Sequence, residues 1–88
     1  MHFMVINRTR PDLTAAQYQE LGKLAEAFYT APPAGIRLHS DWAAADGSGT
    51  YAILEAESLD LLEQVQTPFR PFVAMENIQV RPLSGWRK

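Results

Sequence analysis

The sequence predicts an α+β domain, a four-stranded antiparallel sheet carrying two helices on one face. Three observations carry that expectation. The runs Ile36–Trp42 and Thr50–Glu57 nearly alternate in polarity and are joined by the small, turn-rich stretch Ala43-Ala44-Ala45-Asp46-Gly47-Ser48-Gly49, which is a β-hairpin signal. A segment of helical periodicity precedes that hairpin and a second follows it. A strand candidate lies towards each end of the chain.

Taken in order, His2-Phe3-Met4-Val5-Ile6-Asn7 is apolar at both alternations, as befits a central strand covered on both faces. Pro11-Asp12 punctuates the following loop. Thr14 is placed to accept an orphan amide of a helix's first turn, and Gln17 three residues later completes a capping box. The predicted helix runs to about Thr30, with Tyr18, Leu21, Leu24, Ala25 and Phe28 as its apolar stripe. Pro32-Pro33 stops it, because proline neither donates to a helix nor fits inside one.

In the hairpin, the expected register sets Trp42 opposite Ala52, Ser40 opposite Leu54 and Leu38 opposite Ala56 on the core face. On the other face it pairs Asp41 with Ile53, His39 with Glu55 and Arg37 with Glu57, and the last two pairs are charge-compatible. Ser58 caps a second helix that turns Leu59, Leu62 and Val65 inward and ends before Pro68. About Met75–Arg81 forms the last strand, with Ile78 and Val80 on one face and Asn77 and Gln79 on the other. Residues 1–83 make the domain, and residues 84–88, which include Trp86, a tail.

Right-handed crossovers in the order βαββαβ give the strand order 4-1-3-2 with both helices on one face, the ferredoxin-like plait. The helix-free face then carries Tyr51, Ile53, His39, Asn77 and Gln79 with one alternation of the first strand. It is too apolar at its centre to be simply wet, and a second copy of the chain is the economical cover.

Composition bounds function more than it points to one. Eighty-eight residues make one domain with a thin stability margin. The absence of cysteine removes disulfides, thiolate zinc sites and cysteine nucleophiles together. A formal charge of −2 offers no electrostatic footprint for nucleic acid or an anionic membrane. No apolar run approaches the ~20 residues of a bilayer span. His2–Asn7 is too short for a signal segment and is followed by Arg8 and Arg10, so the expectation is a cytoplasmic protein.

Residues able to carry chemistry are few. His39 and Asp41, two apart on one strand, share a face in the expected register. They read either as a base with its orienting carboxylate, as two metal ligands, or as a cross-strand pairing with Glu55 at a dimer seam. His2 lies two strands from His39, about 10 Å at ~4.8 Å per strand, so no metal is expected. Asn7, Tyr18, Tyr29, Trp42 and Tyr51 have polar tips able to orient an aromatic or carbonyl substrate. Trp42 is expected on the helix-covered side beside Phe28 or Tyr18. Arg8 and Arg10 read as a solvated edge or an anion clamp. Asp46-Gly47-Ser48-Gly49 lacks the ligand series of a calcium loop and the lysine of a P-loop, and reads as a turn.

The opening Phe3-Met4-Val5-Ile6, the segment Trp42–Gly47 followed by Tyr51-Ala52-Ile53-Leu54-Glu55-Ala56, and the closing Glu76-Asn77-Ile78-Gln79-Val80-Arg81-Pro82 resemble the dimeric α+β barrel superfamily. More narrowly, they resemble a bacterial family of small barrel domains without an established function. The resemblance implies a homodimer packed sheet to sheet and a small-molecule pocket between each subunit's own sheet and helices. It also implies kinship by fold with cofactor-free monooxygenases, muconolactone isomerases and barrel cyclases. Fold alone does not supply the reaction.

The resulting expectation is an enzyme of the monooxygenase, isomerase or cyclase type without organic cofactor, acting on a small, partly apolar substrate, aromatic ones included. His39 or Tyr18 would transfer the proton, while Asn7, Trp42, Tyr51 and Phe28 bind the substrate. The alternative is a non-catalytic ligand-binding or accessory homodimer. A remote alternative is an RNA-binding plait, since Phe3 and Tyr51 sit near the stacking positions of such domains. The Lys/Arg-Gly lead-in is missing and the net charge is negative.

Overall fold

A computed structural model describes residues 1–83, so the predicted tail with Trp86 lies outside the described residues. The strands are β1 (His2–Thr9), β2 (Ile36–Ala43), β3 (Thr50–Ala56) and β4 (Val73–Val80), and the helices are α1 (Ala15–Thr30) and α2 (Leu59–Gln66). They form one antiparallel sheet in the order β2-β3-β1-β4, the expected ferredoxin-like plait.

Local chemistry sets the helix starts. The Thr14 hydroxyl accepts from the Gln17 amide at 3.2 Å while the Gln17 side chain accepts from the Thr14 amide at 2.8 Å, a complete capping box. The Ser58 hydroxyl accepts from the Leu61 amide at 3.1 Å and starts α2. A short 3-10 turn, Thr67–Phe69, replaces the helix where Pro68 forbids its continuation.

The core sits between the helices and the sheet. Phe3, Val5, Ile36, Leu54, Ala56 and Leu62 form its buried cluster, with Phe3 and Leu62 each only 1% exposed. The two helices differ in how they meet it. α2 buries Leu62 and Gln66, whereas α1 buries no residue completely. Tyr18, expected on the inward stripe of α1, is half exposed, and so is much of Leu59 on α2.

The hairpin register departs from expectation throughout. Before His39 it is shifted by two residues, which leaves the faces as expected and sets Arg37 opposite Glu55 instead of Glu57. Beyond His39 it is shifted by one residue, which exchanges them. Ile36 pairs with Ala56, Arg37 with Glu55 and Leu38 with Leu54, but Ser40 then pairs with Ile53, Asp41 with Ala52 and Trp42 with Tyr51. A β-bulge between Leu38 and Ser40 makes His39 an extra residue on β2. Because side chains alternate with period two, one extra residue exchanges the faces of everything beyond it. Trp42 therefore lies on the helix-free face, 69% exposed, and Asp41 turns towards the helices. β4 brings a second correction. Asn77 and Gln79 stand opposite Val5 and Phe3, on the helix-covered face, and Asn77 hydrogen-bonds to Gln66 of α2.

The loops that carried possible functions serve structure. Arg10 donates from Nε and Nη2 to the Arg70 carbonyl at 3.2 and 3.0 Å, tying the end of β1 to the connection before β4. Asp46 accepts from the Ser48 amide at 2.9 Å, and Gly47 takes φ +77°, closing the hairpin turn. Among the described residues, no helix is long and apolar enough to cross a membrane.

Candidate active site

Beside the buried cluster, whose Val5, Leu54 and Leu62 form part of its wall, the layer between sheet and helices opens into a cavity of about 330 Å³. That volume lies at the lower end of the ~300–1,000 Å³ typical of small-molecule pockets. Its floor is sheet: Val5, Asn7 and Thr9 of β1, Thr50, Ala52 and Leu54 of β3, Leu38 of β2 and Met75 of β4. Its roof is Leu21, Ala25, Phe28 and Tyr29 of α1, with Val65 and Gln66 of α2 and Phe69 beside them. The rings are locked together. Phe28 meets Tyr29 and Phe69 edge to face, with centroids 5.6 and 6.3 Å apart. The cavity explains why α1 buries nothing completely, since its inward stripe faces this space rather than the sheet.

The polar groups at the wall are few and placed. Asn7 donates from Nδ2 to the Thr50 hydroxyl at 3.3 Å, while its Oδ1 is buried without a partner among the described residues. An unpaired buried amide oxygen costs about 1–3 kcal/mol, so a protein seldom keeps one without use. The hairpin fixes its position. A Cβ on Gly49 would collide with the Asn7 carbonyl oxygen, so glycine there lets the turn approach β1.

Gln66, by contrast, is fully paired. It exchanges two hydrogen bonds with Asn77, at 2.7 and 2.8 Å, and accepts from Arg70 at 3.0 Å. It braces the wall and leaves Asn7 as the amide with bonding capacity to spare. At the mouth, partial burial pushes the Tyr29 hydroxyl above the ordinary tyrosine pKa, and the nearby Asp41 carboxylate pushes it further. The phenol therefore stays protonated and can donate.

Of the residues singled out from sequence, Asn7, Phe28 and Tyr29 line the cavity, while His39, Tyr18, Trp42 and Tyr51 lie outside its lining. Trp42 and Tyr51 are cross-strand partners on the helix-free face. Phe3, a stacking position in RNA-binding plaits, is buried beneath the helices. The bulge accounts for Trp42, which it moves away from the helices, and it brings Asp41 towards Tyr29. Gln66 was missed, although a glutamine four residues after the inward Leu62 is a polar residue on an apolar stripe.

His39 reaches Glu55 after all, donating from Nε2 to Oε1 at 2.9 Å, although its own register partner is displaced by the bulge. That hydrogen bond, with the neighbouring His2, holds the Glu55 carboxyl below its ordinary pKa. The expected 10 Å separation of the two histidines describes their strands but not their rings, whose centroids stand 5.2 Å apart. The side chains lean inward over Glu55 on the strand between them.

The sequence matches the domain of unknown function DUF3303 over residues 1–85. The chain belongs to the DUF3303 family. The crystal structure of muconolactone isomerase superposes on this member with a TM-score of 0.63 and 19% identity, covering 100% of this chain and 97% of its own. The DUF3303 chain therefore has the α+β barrel fold of that isomerase, and at this identity the likeness concerns fold alone. No curated protein matches the sequence.

Proposed function

We propose that this DUF3303 domain binds a small, mostly apolar molecule in the cavity between its sheet and helices and acts on it as an isomerase-type enzyme. The observation that carries the reading is the buried Oδ1 of Asn7, unpartnered among the described residues, in a mostly apolar wall. A ligand with an aromatic or aliphatic body and one hydroxyl or N–H satisfies it. Phe28 packs against the ligand's body. The proton-carrying role suggested for His39 and Tyr18 passes to the pair Tyr29 and Asp41 at the cavity mouth. The phenol gives a proton at one atom of the ligand, and the carboxylate takes up the proton lost from carbon. The kinship of fold with muconolactone isomerase supports the reaction class. No organic cofactor is needed for such a proton transfer.

In the same proposal, the helix-free face packs against a second copy of the chain. Met4, Ile6, Tyr51 and Ile53 lie there half-buried, and Trp42 and Ile78 more exposed, an apolar surface that a lone subunit leaves in water.

A second reading has its own observation. Among the described residues, no carboxylate, imidazole or amine lines the cavity wall, which suits a binding protein that performs no chemistry. One experiment separates the two. Phenols and small lactones are screened by ligand-observed NMR, and hits are incubated in D2O to follow exchange at carbon. Binding lost in Asn7→Leu together with exchange lost in Tyr29→Phe is the expected result. Binding without exchange leaves the non-catalytic reading. Equal binding by wild type and Asn7→Leu removes the cavity as the site.

A further inference from the structure

We propose that His2, His39 and Glu55 form a binding site for a borderline divalent metal ion of the zinc class, on the helix-free face of the sheet. The site is independent of the cavity, which lies on the other face. Three strands build it. Glu55 belongs to β3, between β1 and β2, and His2 is its register partner on β1. His39 comes from the bulge of β2. The register partner of Glu55 on that side is Arg37, yet among the described residues the only ion pairs of Glu55 are with the two histidines. Bulges commonly re-aim a side chain beside a functional site, and this one brings an imidazole across a neighbouring residue to the carboxylate.

The donor atoms are spaced for a shared ion. Both histidines present Nε2 to the same Glu55 oxygen, at 2.9 Å for His39 and 3.6 Å for His2, and one donor atom from each residue falls within 4.8 Å of the others. Metal–donor bonds of about 2.0–2.2 Å at tetrahedral angles set neighbouring donors roughly 3.4 Å apart. The two measured edges bracket that value. Two imidazoles with one carboxylate suit zinc, nickel, copper or ferrous iron rather than calcium or magnesium, which prefer all-oxygen shells.

The backbone beneath is held. The amino group of Met1 donates to the Ala56 carbonyl at 3.0 Å, and the Ala56 amide donates to the Met1 carbonyl at 2.8 Å, which locks His2 beside Glu55. In the single subunit the three side chains are 35–42% exposed. They sit where β1 begins and β3 nears its end, at the end of the face and not at the apolar centre assigned to the dimer. Three protein ligands leave at least one position for water, the arrangement of metal sites that stay open to exchange.

The test uses the tag-free chain, stripped with chelator and titrated with Co2+ and Zn2+ by calorimetry, visible absorption and NMR. The expected result is saturable binding of one ion per chain. Co2+ should then broaden the ring resonances of His2 and His39 selectively in the wild-type protein. Glu55→Gln and His39→Ala should each weaken affinity at least about tenfold, as loss of a metal's supporting groups does. Absence of saturable binding overturns the proposal. So does undiminished affinity in both variants, or broadening centred on other residues of the folded wild type.

Discussion

The two faces of this sheet are built from the same strands and do opposite work. On the helix-covered face, odd-numbered β1 residues pass from packed core, Phe3 and Val5, to cavity floor, Asn7 and Thr9. On the other face, even-numbered β1 residues pass from His2, in the histidine–glutamate cluster, to half-buried Met4 and Ile6. The difference teaches that burial here is graded along each face and not merely between faces. The start of β1 under α2 is sealed, and the same strand six residues later borders space. A stable end holds the sheet in shape, which lets the other end keep an unpaired amide without collapsing around it.

That contrast can be broken. Phe3→Ala, at the sealed end, should cost about 3–5 kcal/mol in urea unfolding, whereas Met4→Ala on the opposite face should cost less than half as much. Equal losses would mean that the faces are energetically alike. Ile53→Asp places a charge in the middle of the apolar face. Light scattering on wild type should give twice 9.9 kDa, and the variant should fall to 9.9 kDa with its helical circular dichroism retained. A wild type that is monomeric throughout a dilution series would refute the sheet-to-sheet dimer.

Asn7→Leu sharpens the contrast along one strand. It removes a buried unpaired amide and should raise stability by about 1–3 kcal/mol while abolishing ligand binding, a gain in fold against a loss of site. Loss of stability instead would show that the amide is satisfied in solution. Thr14→Ala removes the capping box of α1 and should cost about 1 kcal/mol. Because α1 roofs the cavity, that variant should also weaken ligand binding.

The smallest effect expected is spectroscopic. The ultraviolet titration difference between wild type and Tyr29→Phe isolates the Tyr29 phenol, which should ionise above the ordinary tyrosine range. Asp41→Asn should bring it down, since removing a nearby negative charge eases ionisation, while the desolvation that contributes most remains. An unchanged titration in Asp41→Asn would mean that Asp41 does not face Tyr29.

The sequence by itself determined the elements, their order and the plait, because hydrophobic periodicity, two N-caps and proline stops are local signals that tertiary context did not override. It also picked out Asn7 and Phe28, one a polar residue ending an apolar strand and the other on a helix's inward stripe. Only the tertiary structure decided which face Trp42 and Asp41 occupy. A single extra residue at His39 inverts the alternation of β2, and nothing in the run Ile36–Trp42 marks where the ladder slips. The strand order placed the backbones of His2 and His39 correctly, but side chains from flanking strands can lean over the strand between them. Their meeting at Glu55 is a product of packing, which no spacing along the chain encodes.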